Sequence, residues 1–372
     1  MRKNIATLSA AVFSLEEEYF LNKTVFKKIF NTLFLFAVFG FTLWSVFANE
    51  DFGQVLHHLQ TANFLYVIPG IACVILFILG ESLIIHYLMR TLGTRVKMSH
   101  CCLYSFIGFF YSAITPSASG GQPMQIIAMR KDRIPVAVST VVLAIVTITY
   151  KLVLVSIGLV VMILRPRALM IYLEPVESII YLGLALNIVC IAGLLMLVFC
   201  PRIVRVLTLK TLALINKIKP IRNMEKQNAR LERIVTQYEG TAEYFLSHKM
   251  VIFRVFLLTL VQRILLFLVT WFTYLAFDLS GHSMPLVVTL QGMISVAADM
   301  LPLPGGMGVS ENLFLEIFPT IFGESLVIPG MMISRGISYY TQMLLSAVMT
   351  VAASFIIRDR SKNKEKERQK ET

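Results

Sequence analysis

Charge is what this chain has least of. Asp, Glu, Lys and Arg make up 15% of its 372 residues, against ~25% in a soluble domain. That scarcity excludes an ordinary water-soluble fold, whose surface is mostly polar and charged. Acidic residues are the rarer sign, and the resulting net charge of +12 would suit a nucleic-acid binder if the basic groups were clustered. They lie instead between and after apolar stretches, where the positive-inside rule puts them. Cysteine is sparse as well. Cys73, Cys101, Cys102, Cys190 and Cys200 form no CxxC pair and stand in or beside apolar segments, so they read as small apolar fillers. The catalytic templates are missing: there is no GxSxG, HExxH or Walker loop, and the adjacent His57 and His58 read as a solvated loop pair. Gly305-Gly306-Met307-Gly308 has neither the Lys-Ser/Thr nor the preceding strand of a phosphate loop. No catalytic residue, metal or cofactor is expected. Residues 1–26 carry Glu16, Glu17 and Glu18 and no small-residue cleavage site, so no signal peptide is expected either.

What is abundant is apolar sequence, 56% of the chain. Apolar segments fall at about 27–47, 64–89, 99–114, 135–164, 177–200, 251–277, 285–303 and 327–357. Several reach the ~20 residues that cross a bilayer as helix. The connection 201–250 differs, being rich in Lys and Arg, with Leu231, Ile234, Val235, Tyr238, Ala242 and Phe245 at helical spacing. It reads as a basic amphipathic surface helix. The tail 359–372 is charged and expected to be disordered.

The charges orient the segments. Lys23, Lys27 and Lys28 place the segment 1–26 inside, Glu50 and Asp51 mark an outside loop, and Arg90, Arg95 and Lys97 return the chain inside. If 99–114 crossed completely, Arg130, Lys131, Arg133 and the basic 201–250 connection would all lie outside. A re-entrant 99–130, matched by a re-entrant 285–320 from the other side, restores the rule. The expected fold is therefore an all-α integral membrane protein with about six full transmembrane helices and two Gly/Pro-broken re-entrant segments, both termini inside. Span 64–89, dip 99–130 and span 135–164 then correspond to span 251–277, dip 285–320 and span 327–357, inverted in the membrane. This is the inverted-repeat plan of many transporters; the competing account is two Gly-rich bends coinciding in a long apolar chain.

The first break runs Thr115-Pro116-Ser117-Ala118-Ser119-Gly120-Gly121-Gln122-Pro123. Pro116 and Pro123 remove amide donors and disfavour helix before them. Backbone freed in this way must be buried in protein or line a wet cavity, and Thr115, Ser117, Ser119 and Gln122 suit the cavity. The second break runs Leu303-Pro304-Gly305-Gly306-Met307-Gly308-Val309-Ser310-Glu311, with Asp299 just before it. Here Ser310 is a candidate N-cap and Glu311 a first-turn carboxylate. Two half-helices meeting at mid-membrane would turn their N-termini inward and attract anions such as lipid phosphates, although an ion-binding cavity has the same signature. Ionisable residues within spans are costly and usually face protein or water. Glu81, Lys151, Arg263, Asp299, Glu311 and Arg335 are the candidates, either on a lipid pathway or in structural ion pairs, with Glu81, Asp299 and Glu311 as conceivable ion carriers.

These two breaks resemble the signature segments of the flippase-like membrane domain of lysylphosphatidylglycerol synthases, also called multiple peptide resistance factors. Tyr150-Lys151 and the stretch from Arg335 to Tyr340 add to the likeness, which covers about 27–358. The wider flippase-like family tends to carry Gly-Glu where Gly121-Gln122 stands and an Arg/Asp-bearing span where Lys151 stands. The resemblance implies a bacterial plasma-membrane protein that moves aminoacylated phosphatidylglycerol between leaflets and contributes to cationic-peptide resistance. Full-length relatives also carry a soluble domain that transfers lysine from lysyl-tRNA, and after 358 no room for one is expected here. Taken with the break chemistry and the ionisable residues, a lipid pathway or cavity is expected at Thr115, Pro116, Ser117, Ser119, Gly120, Gly121, Gln122, Lys151, Arg263, Asp299, Pro304, Gly305, Gly306, Gly308, Ser310, Glu311 and Arg335. Membrane phospholipid is the expected partner. Phosphatidylglycerol lysyltransferase activity, a scaffold role for a separate soluble synthase, and a homo-oligomer are the alternatives.

Overall fold

A computed structural model describes residues 57, 60, 62–115, 118–199, 224–301, 303 and 306–356. The expected first span 27–47, the segments 1–26 and 359–372, and Pro116, Ser117, Pro304, Gly305 and Cys200 lie outside the described residues, as does 201–223 of the basic connection. Among the described residues the chain is helical without a strand. Four stretches, Phe64–Thr91, Val136–Leu164, Arg167–Val198 and Lys249–Ala276, are long and apolar enough to cross a membrane. This is an all-α, multi-pass membrane protein. In lipid a helix is the element that satisfies every backbone group within its own segment.

In chain order the helices are α1 (Val67–Thr91), α2 (Met98–Ala113), α3 (Gly121–Lys131), α4 (Val136–Leu164), α5 (Arg167–Leu173) and α6 (Glu177–Phe199). There follow α7 (Met224–Ser247), α8 (Lys249–Ala276), α9 (Met284–Ala298), α10 (Val309–Ile317), the single turn α11 (Pro319–Phe322), α12 (Val327–Arg335) and α13 (Gln342–Ile356). A π-helical segment, Gly336–Thr341, joins α12 to α13, so the expected last span is one helical run with an interruption the sequence did not announce. Proline is used at helix starts, where no amide partner is lost. Pro69, Pro123 and Pro329 each occupy the third position of α1, α3 and α12. Pro123 therefore opens α3 rather than bounding the break, and Gln122 before it is helical.

The two broken segments are helical hairpins. With 16 and 11 residues, α2 and α3 are each shorter than a span, and they pack on each other. Their far ends are clasped: Asp132, the C-cap of α3, accepts from Tyr104 and pairs with His100 Nδ1 at 2.6 Å, both on α2. The chain thus leaves this hairpin beside the point where it entered. The second hairpin, α9 and α10, closes through aromatic contact. Tyr274 accepts from the His282 amide (3.0 Å), and its ring meets Phe322 edge-on at 5.7 Å.

Contacts between elements have an exchange pattern. Helix α1 packs on α2 as α8 packs on α9; α3 packs on α4 as α10 packs on α12; α4 packs on α9 as α13 packs on α2. The paired first helices α1 and α8 run antiparallel. Asn63 N meets Ala276 O (2.7 Å) at one end, Gln262 Nε2 meets Phe77 O (2.9 Å) at mid-length, and Arg254 Nη1 reaches Tyr87 Oη (3.5 Å) at the other. One core unites Ile85, Leu88 and Met89 of α1, Tyr104 of α2, Met129 of α3 and Val141 of α4. Exposed apolar rows run along the outer faces, such as Phe253, Leu257, Val261 and Ile264 on α8. Contiguous apolar surface of that kind is a lipid-facing signature.

Helix α7 corrects one expectation. Its apolar stripe is real, but Val235, Tyr238, Ala242 and Phe245 are buried against α4, α6 and α8 rather than turned to a membrane surface. Tyr238 donates to Leu197 O at 3.1 Å, and burial raises its phenol pKa. Ile234, counted with the stripe, is exposed.

Candidate functional site

Three long helices each carry one ionisable side chain at mid-length. Glu81 in α1, Lys151 in α4 and Arg263 in α8 stand within two residues of their helix midpoints, hence within about 3 Å along the axis. A fourth, Asp299, ends α9 as its C-cap residue. All four line one cavity of about 430 Å³. Its lining also includes the polar Ser112, Ser119, Gln122, Gln125, Thr147 and Tyr150 and the apolar Phe109, Leu143, Val146, Leu194, Leu266 and Met343.

The charges are arranged unequally. Lys151 Nζ pairs with Asp299 Oδ2, and the Tyr150 hydroxyl donates to Asp299 Oδ1, so both carboxylate oxygens are engaged. Lys151 Nζ also touches Met300 Sδ at 2.8 Å. Glu81 Oε1 accepts from Gln125 Nε2 at 2.9 Å. Arg263 stacks on aromatic faces, 3.7 Å from the Tyr150 ring centre and 4.8 Å from that of Phe77. Its Nε is buried without a hydrogen-bond partner among the described residues.

Residues 32–346 match the family of the lysylphosphatidylglycerol synthase transmembrane region. The chain belongs to this family. No curated protein matches it. In this member of the synthase transmembrane family, the signature breaks divide between cavity and scaffold. Ser119 and Gln122 of the first break line the cavity, and Gln122 Nε2 donates to Thr147 Oγ1. Thr115 is a brace instead: its Oγ1 donates to Tyr111 O (2.6 Å) and accepts from the Gly120 amide (2.9 Å). Gly120 is the N-cap of α3 and Gly121 its first residue. A Cβ on Gly121 would lie 2.7 Å from the Gly108 carbonyl oxygen, so only glycine lets α3 approach α2 this closely.

Asp299 and Met300, just before the second break, line the cavity, and among the described residues none of the break itself does. Gly306, Gly308, Ser310, Glu311 and Arg335 form a separate cluster. Ser310 is not the N-cap: Gly308, at φ 83°, holds that place, and Glu311 accepts from its amide at 2.8 Å. A carboxylate three residues into the helix reaches back to the cap more readily than a serine already inside the first turn. Glu311 Oε1 also accepts from Arg335 Nε at 2.8 Å. Arg335 lies over the Tyr339 ring (4.9 Å), and Tyr339, which lines the cavity, donates to Ala113 O at 3.0 Å. This cluster therefore touches the cavity through one tyrosine. The sequence reading missed Gln125 and the His100–Asp132–Tyr104 clasp. A second glutamine beside Ile126 and Ile127, just after the first break, was the available signal for the first, and the clasp had none, its members being 28 and 32 residues apart.

Proposed function

We propose that this protein is a lipid translocator that passes a phospholipid head group, such as that of lysylphosphatidylglycerol, between leaflets. The observation that carries this reading is the mid-helix cavity, lined by both hairpins, which combines charged and polar side chains with apolar ones. A head group needs polar partners in hydrocarbon, while its acyl chains need an apolar path. The family membership supports the same lipid class. The two hairpins act as re-entrant segments of an inverted repeat, a reading supported by the antiparallel α1–α8 pair and the exchange of packing partners. Basic residues at 90–97 and 130–133 then face the cytoplasm of a bacterial cell, as the positive-inside rule prefers. Moving a cationic lipid outward would reduce attraction of cationic peptides to the cell. Asp299 and Glu81 are the groups placed to couple transport to an ion.

The test is reconstitution of the full chain into liposomes with a fluorescent phosphatidylglycerol in both leaflets and a membrane-impermeant quencher outside. Translocation should raise the quenched fraction above the half set by the outer leaflet, and Lys151→Ala should slow it by at least tenfold. Quenching that stays at the protein-free level would sink the proposal.

A further inference from the structure

Glu81, Asp299 and Glu311 are the carboxylates that line or flank the cavity, and their partners differ in kind. Asp299 is engaged at both oxygens, by Lys151 Nζ and by the Tyr150 hydroxyl. Glu311 accepts from Arg335 Nε and from the Gly308 amide, each at 2.8 Å. Both sets consist of donors and include a cation. A proton placed on either carboxyl would break an ion pair and leave a buried cation without its counter-charge.

Glu81 is held in another way. Among the described residues its hydrogen bond comes from the Gln125 amide, Nε2 to Oε1 at 2.9 Å, and no cation lies within ion-pair distance. The other charged and titratable groups on the cavity wall are Arg263 of α8, Lys151 and Tyr150 of α4, Cys190 of α6, Asp299 and Tyr339. Lys151 and Asp299 offset each other, which leaves Arg263 to act on Glu81 through space. A primary amide has a donor and an acceptor at one end. Its NH2 group donates to an ionised carboxylate, and after a half-turn its carbonyl accepts from the protonated acid. Gln125 can therefore satisfy Glu81 in both states, with no ion pair broken. A hard metal cation takes several oxygen ligands at once, and among the described residues no cluster of three His, Cys, Asp or Glu side chains supplies them.

The amide is placed by the helix between. Gln125 belongs to α3, is 4% exposed, and reaches Glu81 of α1 by passing α2 at Gly108. A Cβ at Gly108 would lie 2.5 Å from Gln125 Cδ, so any side chain there turns the amide away from Glu81.

We infer that the ion coupled to translocation is a proton and that Glu81 carries it, with Gln125 as its positioning residue. This rests on the translocation reading for the work the proton does. The step makes one O–H bond on Glu81, its proton coming from water on one side and returning to water on the other.

The experiment adds a pH gradient to liposomes that hold the full chain, fluorescent phosphatidylglycerol and an outside quencher. Valinomycin and potassium clamp the potential, and a pH-sensitive dye is sealed in the lumen. The gradient should change the wild-type quenching rate by about fivefold or more, with proton entry that protein-free liposomes lack. A sodium gradient at equal pH should change neither. Glu81→Gln keeps the bond to Gln125 and takes no proton, so its rates with and without the gradient should become equal. Gln125→Ala and Gly108→Ala should each cut the wild-type response by about threefold with Glu81 intact, and they carry the test if Glu81→Gln does not fold. A merely structural glutamate predicts a lower melting temperature for Glu81→Gln and an unchanged response to the gradient. That response unchanged in Glu81→Gln, or wild-type lipid movement that ignores the gradient, overturns the inference and leaves translocation standing. Proton entry that depends on Glu81 without lipid movement keeps the proton site and sinks translocation. The absence of both sinks both.

Discussion

Lys151 and Asp299 are 148 residues apart and meet in one ion pair inside the cavity, bridging α4 and the end of α9. Removing one member leaves the other buried without its counter-charge, at ~3–5 kcal/mol, whereas removing both costs far less. Lys151→Met and Asp299→Asn should each lower the melting temperature in detergent, and the double variant should fall short of the sum. Additive losses would mean that the pair contributes no coupling. Glu81 differs, since it accepts a hydrogen bond from the neutral amide of Gln125. The sequence showed that each of these residues is out of place in an apolar span. It did not show which pair with each other, because the partners are 44 and 148 residues apart in the chain.

Among the elements, α6 and α9 approach each other closely at a single glycine. A Cβ on Gly183 would lie 2.5 Å from Val296 O and 2.6 Å from Ala297 Cα, both backbone atoms that cannot rotate away. Asn187 ties the same contact by donating to Gly183 O (2.8 Å) and Val296 O (3.3 Å). Small residues at helix contacts are how membrane helices pack without a hydrophobic driving force between them. Gly183→Ala should therefore destabilise by ~1–3 kcal/mol. Gly193→Ala, on the same helix with open space around it, should stay within about 0.5 kcal/mol of wild type. Thermal melts of the two variants side by side check this. The π-segment Gly336–Thr341 belongs to the same scale, since such segments often mark functional sites. It sets Tyr339 between Arg335 and the cavity, and no residue pattern announces it.

For the whole molecule, the hairpins determine the topology. If α2 and α3 enter and leave by one face, single cysteines at the exposed Lys97 and Lys131 should react with an impermeant maleimide from the same side of sealed vesicles. Cysteines at Ser280 and Glu324, flanking the second hairpin, should both react from the opposite side. The background variant has its native cysteines replaced. Opposite-side labelling of Lys97→Cys and Lys131→Cys would make the segment a full crossing and break the inverted arrangement. Charge counting predicts the same-side outcome, because a plain crossing would put Arg130, Lys131 and Arg133 on the side that the positive-inside rule disfavours.

The sequence by itself determined the all-α membrane class and, among the described residues, where the long apolar helices lie and roughly where they break. Hydrocarbon thickness, backbone hydrogen bonding and proline chemistry act over a few residues or one segment, and they leave a local pattern. Tertiary structure alone decided that Glu311 and Arg335 brace the second hairpin while Asp299 faces the cavity, that Gly308 rather than Ser310 caps α10, and that the stripe of α7 packs on protein. It alone left Arg263 stacked and unpaired at Nε. The reason is that a charge in low dielectric is defined by its nearest partner, and the fold chooses that partner from distant parts of the chain.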